Sequence, residues 1–337
     1  MAGLADSPLP QTRDIICIGC SAGGVEALPR IIQQLPKDLP ASVFIVQHMA
    51  ATETPYLVEI LQRNTRLPIQ WAEQGMRSER GQIYVAPPDV HLVFADEHLV
   101  LTRTARENHS RPSIDKLFRS AAAVHASRVI GVLLTGMLDD GVAGLRAIRD
   151  AGGAVVVQDP NDAAFPDLPA RALLALEPDR TLPIDAIGGA LLALTAERPQ
   201  PVTVPVVVLV EAAIDQTGPI LPERMHELGA QTTISCPDCG GPMWQMGDER
   251  IRRYRCYNGH AMTAADMLAA SNTQVEAALW SAVRALNDRA GTLETLASDA
   301  ERIGNVQSGS SYASRARDAR REAELAREFM LSLGRPR

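Results

Sequence analysis

The stretch that most constrains this chain is Asp14–Leu28, DIICIGCSAGGVEAL. An apolar, β-rich run (Ile15, Ile16, Cys17, Ile18) stops at Gly19-Cys20-Ser21-Ala22-Gly23-Gly24. Helical spacing begins at once with Val25, Leu28, Ile31, Ile32 and Leu35. A buried strand must therefore turn tightly into a helix. Small residues leave the Ser21 hydroxyl uncluttered beside backbone N–H groups at a helix start. Such a turn can hold an anion against the helix N-terminus. It can also present a serine nucleophile, because Gly19–Gly23 fits G-x-S-x-G, or use Ser21 only as an N-cap.

The rest of the first 195 residues repeats this alternation. Short apolar runs at 41–47, 69–72, 82–86, 91–95, 98–103, 129–134 and 154–158 read as strands. Helical spacing appears at 55–66, 114–126, 142–150, 168–176 and 184–195. Strands as apolar as Val129–Leu134, interleaved with helices, imply a doubly wound, mostly parallel, Rossmann-like α/β sheet covered on both faces. Three prolines in Arg198–Pro205 mark a change, and residues 196–233 read as a linker with one isolated strand at Val206–Val210.

The 33 Lys and Arg against 40 Asp and Glu give a formal charge of -7, which argues against nucleic-acid binding through a basic surface. No apolar run is long enough for a membrane span, and Met1–Arg13 has no apolar signal core. The expectation is a cytoplasmic protein without membrane insertion. Only Met1–Thr12 precedes the first strand, and so short a stretch is expected to hold no domain of its own.

Open α/β sheets place their sites beyond the carboxyl ends of the strands. Ser21, His48 and the pair Asp139/Asp140 all fall at such ends. A serine needs a base, and the base works best when a carboxylate fixes its tautomer. Alone, His48 is a structural strand end and either aspartate a helix N-cap; together they make a hydrolytic site. A dinucleotide site wants glycine where Ser21 stands and an acid where the second strand ends in Gln47-His48. An α/β-hydrolase orders its triad Ser, acid, His, with strands before the elbow. Both are disfavoured.

Across most of 14–194 the chain resembles the protein-glutamate methylesterases of bacterial chemotaxis, the CheB catalytic domain. The shared motifs are Ser21–Gly24, Val46-Gln47-His48-Met49, Arg111-Pro112-Ser113-Ile114-Asp115, Leu134-Thr135-Gly136-Met137 with Asp140-Gly141, and Ala151-Gly152-Gly153. The resemblance implies Ser21 as nucleophile, His48 as base and Asp140, beside Gly141, as orienting acid. It places the Met137 N–H in the oxyanion hole and Arg111 on the substrate side of the cleft. The Ala22 N–H, following the nucleophile, is a second oxyanion donor on position alone. The chain departs from the family pattern at Leu138, where glycine is common, at Asn108-His109-Ser110-Arg111, and at Ala164–Pro169.

Beyond the linker, Cys236-x2-Cys239 and Cys256-x3-His260 are separated by 16 residues, with a hairpin expected between Trp244 and Arg255. This is Cys3His spacing for one tetrahedral zinc, and four protein ligands leave no open position, so the site reads as structural. No cofactor is expected for catalysis, and loss of this unit is expected to leave Ser21 chemistry largely unchanged. Cys17-x2-Cys20 lacks a second pair and reads as packing, with Cys20 a remote alternative nucleophile. Two helices close the chain. The first carries the stripe Val275, Leu279, Ala282, Leu286, Leu293, Leu296 and Ile303, and the second, Tyr312–Leu333, follows a break at 304–311. Such a stripe wants burial, against the neighbouring helix, a signalling partner or a second copy of the chain.

The domain reading is a catalytic domain at 13–195, a linker at 196–233, a zinc-ribbon-like unit at 234–262 and a helical hairpin at 263–335. The resemblance implies a serine esterase that removes methyl groups from glutamate methyl esters of chemoreceptor-like proteins and deamidates receptor glutamine through the same acyl intermediate. The alternative is a zinc-ribbon signalling scaffold without activity.

Overall fold

The computed structural model describes residues 12–49, 56–219 and 221–333. The expectation about the N-terminal segment, and Pro55 in the second helix, fall outside the described residues. Tertiary contacts divide the chain into two compact units that meet between Asp266 and Met267.

The first unit begins with the strand–turn–helix foreseen at Ser21. Strand β1 (Ile15–Cys20) leads into α1 (Gly24–Ile32), then β2 (Ser42–Gln47), α2 (Leu57–Gln62), β3 (Ile69–Trp71) and β4 (Ile83–Val85). The hairpin β5 (His91–Ala95) and β6 (His98–Thr102) turns at Asp96-Glu97. After it come α3 (Ile114–His125), β7 (Val129–Leu133), α4 (Val142–Asp150), β8 (Ala154–Gln158) and α5 (Asp167–Ala175). Strand β9 (Arg180–Leu182) and α6 (Ile184–Ala196) complete this part. β9 is three residues long with Arg180 and Thr181 exposed, too short and too polar a signal to read in sequence.

Seven strands form one sheet in the order β3-β4-β2-β1-β7-β8-β9, and every pairing is parallel. Alternate residues of each strand serve opposite faces. Cys17, Phe44, Val46 and Leu133 join the layer under α3, α4 and α5. Ile16, Ile18, Ile45 and Val132 join the layer under α1, α2 and α6. Strand order reverses at β1, between β2 and β7, which opens a crevice at the carboxyl ends of these three strands.

The run expected as an isolated strand is helix α7 (Val206–Thr217). Its buried positions Val208, Glu211, Ala212 and Asp215 follow helical spacing, and it packs on α3 and the β5–β6 hairpin. In sequence, Glu211 and Asp215 interrupt an apolar run and hide this period. Their arginine partners come from far along the chain.

A short helix α8 (Pro222–Met225) precedes an antiparallel sheet of β10 (Ala230–Ser235), β11 (Pro242–Met246), β12 (Arg253–Cys256) and β13 (Ala261–Thr263). The expected hairpin is present, with Trp244 opposite Arg255. This sheet has its own small core of Met225, Leu228, Trp244 and Met246, shared with Val210 and Ile214 of α7.

The second unit is built from α9 (Ala264–Arg302) and α10 (Val306–Leu333). The break between them is shorter than expected, since α10 starts at Val306. The helices are antiparallel: Arg320 donates to Asn287 Oδ1 at 2.9 Å and to Glu294, while Gly309 lies against Ala297 and Glu301. The buried seam of α9 is Val283, Ala290, Leu293, Ala297 and Ala300, facing Ala316, Ala319, Ala323 and Met330. Of the expected stripe only Leu293 lies fully in it, while Val275, Leu296 and Ile303 are exposed. Alanines carry the seam at heptad spacing, and weighting leucines alone displaces the stripe. Among the described residues, no helix is long and apolar enough to cross a membrane.

Candidate active site

Ser21 stands one residue beyond β1. Gly23, at φ 78°, adopts the left-handed conformation that lets the chain reverse into α1. A side chain at Gly24 would collide with Gln47 Oε1, so only glycine lets the helix start this close to β2. The Ser21 N–H donates to Thr135 O at 3.1 Å, tying the turn to the end of β7. His48 directly follows β2, and its N–H donates to Cys20 O at 3.1 Å. Gln47 braces both residues, its Nε2 donating to Ser21 O at 2.8 Å and His48 O at 2.9 Å.

The side chains of Ser21, His48 and Asp140 come together. Ser21 Oγ lies 3.1 Å from His48 Nδ1, and His48 Nε2 lies 2.7 Å from Asp140 Oδ2. With the imidazole proton on Nε2, donated to Asp140, Nδ1 is free to accept the Ser21 hydroxyl proton. His48 keeps modest solvent access, whereas Asp140 is 2% exposed.

The surroundings of Asp140 explain why a buried carboxylate is tolerated there. Its Oδ2 also accepts the Ile114 N–H at 2.7 Å. Its Oδ1 accepts from Ser113 Oγ at 2.9 Å, the Asp115 N–H at 3.2 Å and Asn108 Nδ2 at 3.3 Å. The carboxylate thus sits on the amino end of α3, where orphan N–H groups and the helix dipole favour negative charge. Asp115 reciprocates by accepting the Gly144 N–H at 2.6 Å in the first turn of α4. Burial, then the charges of Asp140 and Glu107, push the Asp115 carboxyl well above the usual range. His91 supports this end, accepting the Ser113 N–H on Nδ1 at 3.2 Å while Nε2–H donates to Ala105 O. Burial and the charge of Lys116 hold it neutral.

Asp139 turns away from His48 and pairs with Arg171 at 2.9 Å. The turn carrying Met137 packs over Ser21: a Cβ on Gly136 would lie 2.9 Å from Ser21 Cβ. Thr135 links both sides of the turn, its hydroxyl donating to Ala22 O at 3.0 Å and accepting the Phe165 N–H at 2.8 Å. Leu138 has φ 64°, the left-handed region that favours glycine and explains why its position is a departure. Met137 and Leu138 are half exposed and present an apolar lip.

Arg111 lines a cavity of about 150 Å³ with His48, Met49, Arg106, His109 and Ser110. Its guanidinium is anchored to Asp89 Oδ1 at 2.7 and 3.0 Å, which holds the Asp89 carboxyl below its usual range. Arg111 therefore reaches the cleft as a fixed charge. Cys20 is fully buried, and burial alone pushes its thiol far up, against any nucleophilic role. Sequence reasoning singled out Ser21, His48, Asp140, Met137, Ala22 and Arg111. It gave no role to Gln47, Asn108, Ser113 or Thr135, whose only signal was membership of, or nearness to, the family motifs.

Cys236, Cys239, Cys256 and His260 converge, with their ligand atoms within 4.8 Å of one another. Cys239 and Cys256 Sγ are 3.8 Å apart, and Cys256 Sγ is 3.5 Å from His260 Nδ1. Tetrahedral zinc with bonds of about 2.3 Å to sulfur wants sulfur atoms about 3.8 Å apart, so the donor set fits. Asp238 Oδ2, 4.0 Å from His260 Nε2, occupies the outer position that often orients a ligating histidine.

A parallel α/β sheet with serine, histidine and aspartate converging where its strand order reverses defines a class with hydrolase-like geometry. The particular family follows from comparison: the CheB methylesterase family matches residues 16–191, and the chain belongs to it. A Leptospira interrogans relative is 37% identical over 182 residues, covering 54% of this chain and 94% of that protein. A protein-glutamate methylesterase/protein-glutamine glutaminase of Anaeromyxobacter dehalogenans is 38% identical, covering 54% of this chain and 53% of that one. One from Geobacter metallireducens is 37% identical, over 56% and 55%. The chain thus spans about half the length of these last two. The crystal structure of the Thermotoga maritima CheB methylesterase catalytic domain superposes with a TM-score of 0.52 at 33% identity, covering 54% of this chain and 98% of that one.

Proposed function

We propose that this protein hydrolyses glutamate methyl esters on chemoreceptor-like proteins in the cytoplasm. The observation that carries the reading is the continuous contact from Ser21 Oγ through His48 to Asp140, at 3.1 and 2.7 Å, in a chain of this family. Ser21 Oγ attacks the ester carbonyl as its proton passes to His48 Nδ1, and Asp140 steadies the imidazolium through Nε2–H. The Met137 and Ala22 N–H groups receive the oxyanion. Collapse expels methanol, protonated by His48, and leaves Ser21 acylated by the glutamate side chain. Water, deprotonated by His48, then releases the glutamate. With receptor glutamine the leaving group is ammonia, the glutaminase activity borne in the names of the relatives.

The test is methanol release from methylated receptor membranes by the native chain beside Ser21→Ala. Turnover by the native chain alone supports the reading; no release, or equal release by both, sinks it.

We further propose that Cys236, Cys239, Cys256 and His260 hold one zinc, which when bound supplies structural cross-linking only. Purified without chelator, the chain is expected to carry about one zinc, and metal analysis finding none ends this proposal.

A further inference from the structure

The cysteine unit read in sequence as independent of Ser21 chemistry, yet its ligand-bearing turn grips the segment that holds the triad acid. We propose that this ribbon is a working part of the active site: it fixes Asn108, Asn108 orients Asp140, and zinc in the Cys3His cluster makes that hold firm. The proposal rests on reading Ser21, His48 and Asp140 as the triad.

The residues next to two of the four ligands make the contacts. Ala261 follows His260, and its carbonyl accepts the Asn108 N–H at 2.8 Å. Arg255 precedes Cys256, and its Nη2 donates to Glu107 Oε2 at 3.2 Å. Two adjacent residues, Glu107 and Asn108, are thus held by both strands that flank the Cys256–His260 turn. That turn is closed by the Cys256 N–H to His260 O at 2.9 Å and the Gly259 N–H to Cys256 O at 2.9 Å. It is the geometry that ligation of Cys256 and His260 to one ion would lock.

From Asn108 the connection to the triad is a single side chain. Its Nδ2 donates to Asp115 Oδ2 at 3.0 Å and to Asp140 Oδ1 at 3.3 Å. Asp140's other donors apart from His48 belong to Ser113, Ile114 and Asp115 at the head of α3. Among the described residues, Asn108 is therefore the one donor to Asp140 that arrives on the ribbon-held segment. Its own state shows that the position is imposed. Asn108 and His109 have φ of 47° and 59°, and Asn108 Oδ1 is buried without a hydrogen-bond partner among the described residues. An unpaired buried acceptor costs free energy, so other contacts must hold the residue there. Those contacts are the one to Ala261, the bond to Asp115, and, through Glu107, those to Arg253 and Arg255 of the ribbon together with Arg119 of α3.

Asn108 is thus a positioning residue, acting through Asp140 on His48. If the ribbon loosens, Asp140 keeps the donors of Ser113, Ile114 and Asp115 on α3 but loses the one that Asn108 adds to Oδ1. The carboxylate is then held less tightly, and His48 presents Nδ1 to Ser21 less often.

The experiment uses the full chain loaded with zinc, the Cys239→Ser variant with zinc loss verified, Asn108→Ala, and the double variant. One readout is the rate of Ser21 phosphonylation by a small fluorophosphonate across pH. The other is hydrogen exchange at residues 104–112. Cys239→Ser is expected to slow phosphonylation about 10- to 100-fold, displace its pH profile, and speed exchange at 107–111 while β1 and β7 stay protected. Zinc-loaded Asn108→Ala should show the same slowing and the same displaced profile. The double variant should be little worse than either, because both changes break one connection. An unchanged rate and profile after zinc loss, or losses that multiply in the double variant, overturn the proposal. If Cys239→Ser unfolds the whole chain, zinc-loaded Asn108→Ala carries the test, and a native rate and profile there overturns it. Failure of the loaded native chain to label at Ser21 overturns the triad itself. Labelling that ignores zinc overturns the coupling alone.

Discussion

At the scale of single residues, a short chain of contacts separates the reacting atoms from their supports, and substitution should grade them. Ser21→Ala and His48→Ala are each expected to lower turnover by about 10⁴-fold, because members of such a triad act as a unit. Asp140→Asn should be severe with the fold kept, while Asp139→Asn, which only releases Arg171, should be mild. Steady-state rates on a small activated ester decide, and the reverse order would exchange the two aspartates. His125 gives a second test at this scale. It is buried against Phe94, ring centroids 4.7 Å apart, and burial with the charge of Arg128 lowers its pKa to about 4. The unfolded chain takes up the proton near the ordinary histidine value and the folded chain only near 4. Stability is therefore full above about pH 6.5 and is lost as pH falls through 4, by roughly 3 kcal/mol. Denaturant unfolding should show this slope in the native chain and a flatter one in His125→Gln. Ser21 and His48 were legible in sequence because each directly follows an apolar strand. Asp140 lies well beyond the end of β7 and is set apart from Asp139 only by the family motif that places it beside Gly141. Asn108 and Gln47 were not legible, because their meaning lies in partners far along the chain.

At the scale of elements, α3 is the hub. One end carries Ser113, Ile114 and Asp115 to Asp140, and one face carries Lys116 and Arg119 into a buried cluster of charges. Arg119 pairs with Glu107 at 2.5 Å and Asp215 at 2.6 Å, and Arg253 pairs with Glu211 at 2.9 Å. Arg255 lies among Glu107, Glu211 and Asp215 at 3.2 to 3.4 Å. Against the upward pull of burial, the charges of Arg253, Arg119 and Arg255 bring the Glu211 carboxyl down to about 2. A carboxyl lowered in this way contributes stability above its unfolded pKa, and that contribution is lost as pH falls toward 2. Removing one member strands the others. Arg255→Met is expected to cost about 3–5 kcal/mol at neutral pH, since it leaves buried acids uncompensated. Chemical denaturation would detect it, and a change within 0.5 kcal/mol would show that water reaches the cluster. This layer was invisible to periodicity. Glu211 and Asp215 broke the apolar run of α7, so the segment read as a strand in a linker, while its helical period was kept by charged residues whose partners sit on α3 and β12.

At the scale of the whole molecule, two compact units follow one another, and the position of their junction decides which truncations keep function. Ending the chain at Pro199 would match the end of the family-like sheet and remove α7 and the ribbon. That cut strips Val208 from the main core and Glu211, Asp215, Arg253 and Arg255 from the charge cluster, leaving Lys116, Arg119 and Glu107 without most of their partners. It also removes the Ala261 carbonyl that holds Asn108. Ending the chain near residue 272 instead keeps the first unit whole, with two turns of α9 to cap β13, and removes the helical hairpin, whose alanine seam closes on itself. The longer fragment is expected to unfold at the temperature of the first transition of the full chain and to turn over a small activated ester at the full-length rate. The fragment ending at Pro199 should melt well below it and lose activity by at least about 10²-fold, the scale of a misplaced catalytic group. Calorimetry and ester turnover on the two fragments make the comparison. Equal activity and melting for both would mean that α7 and the ribbon are appended to the catalytic sheet rather than built into it.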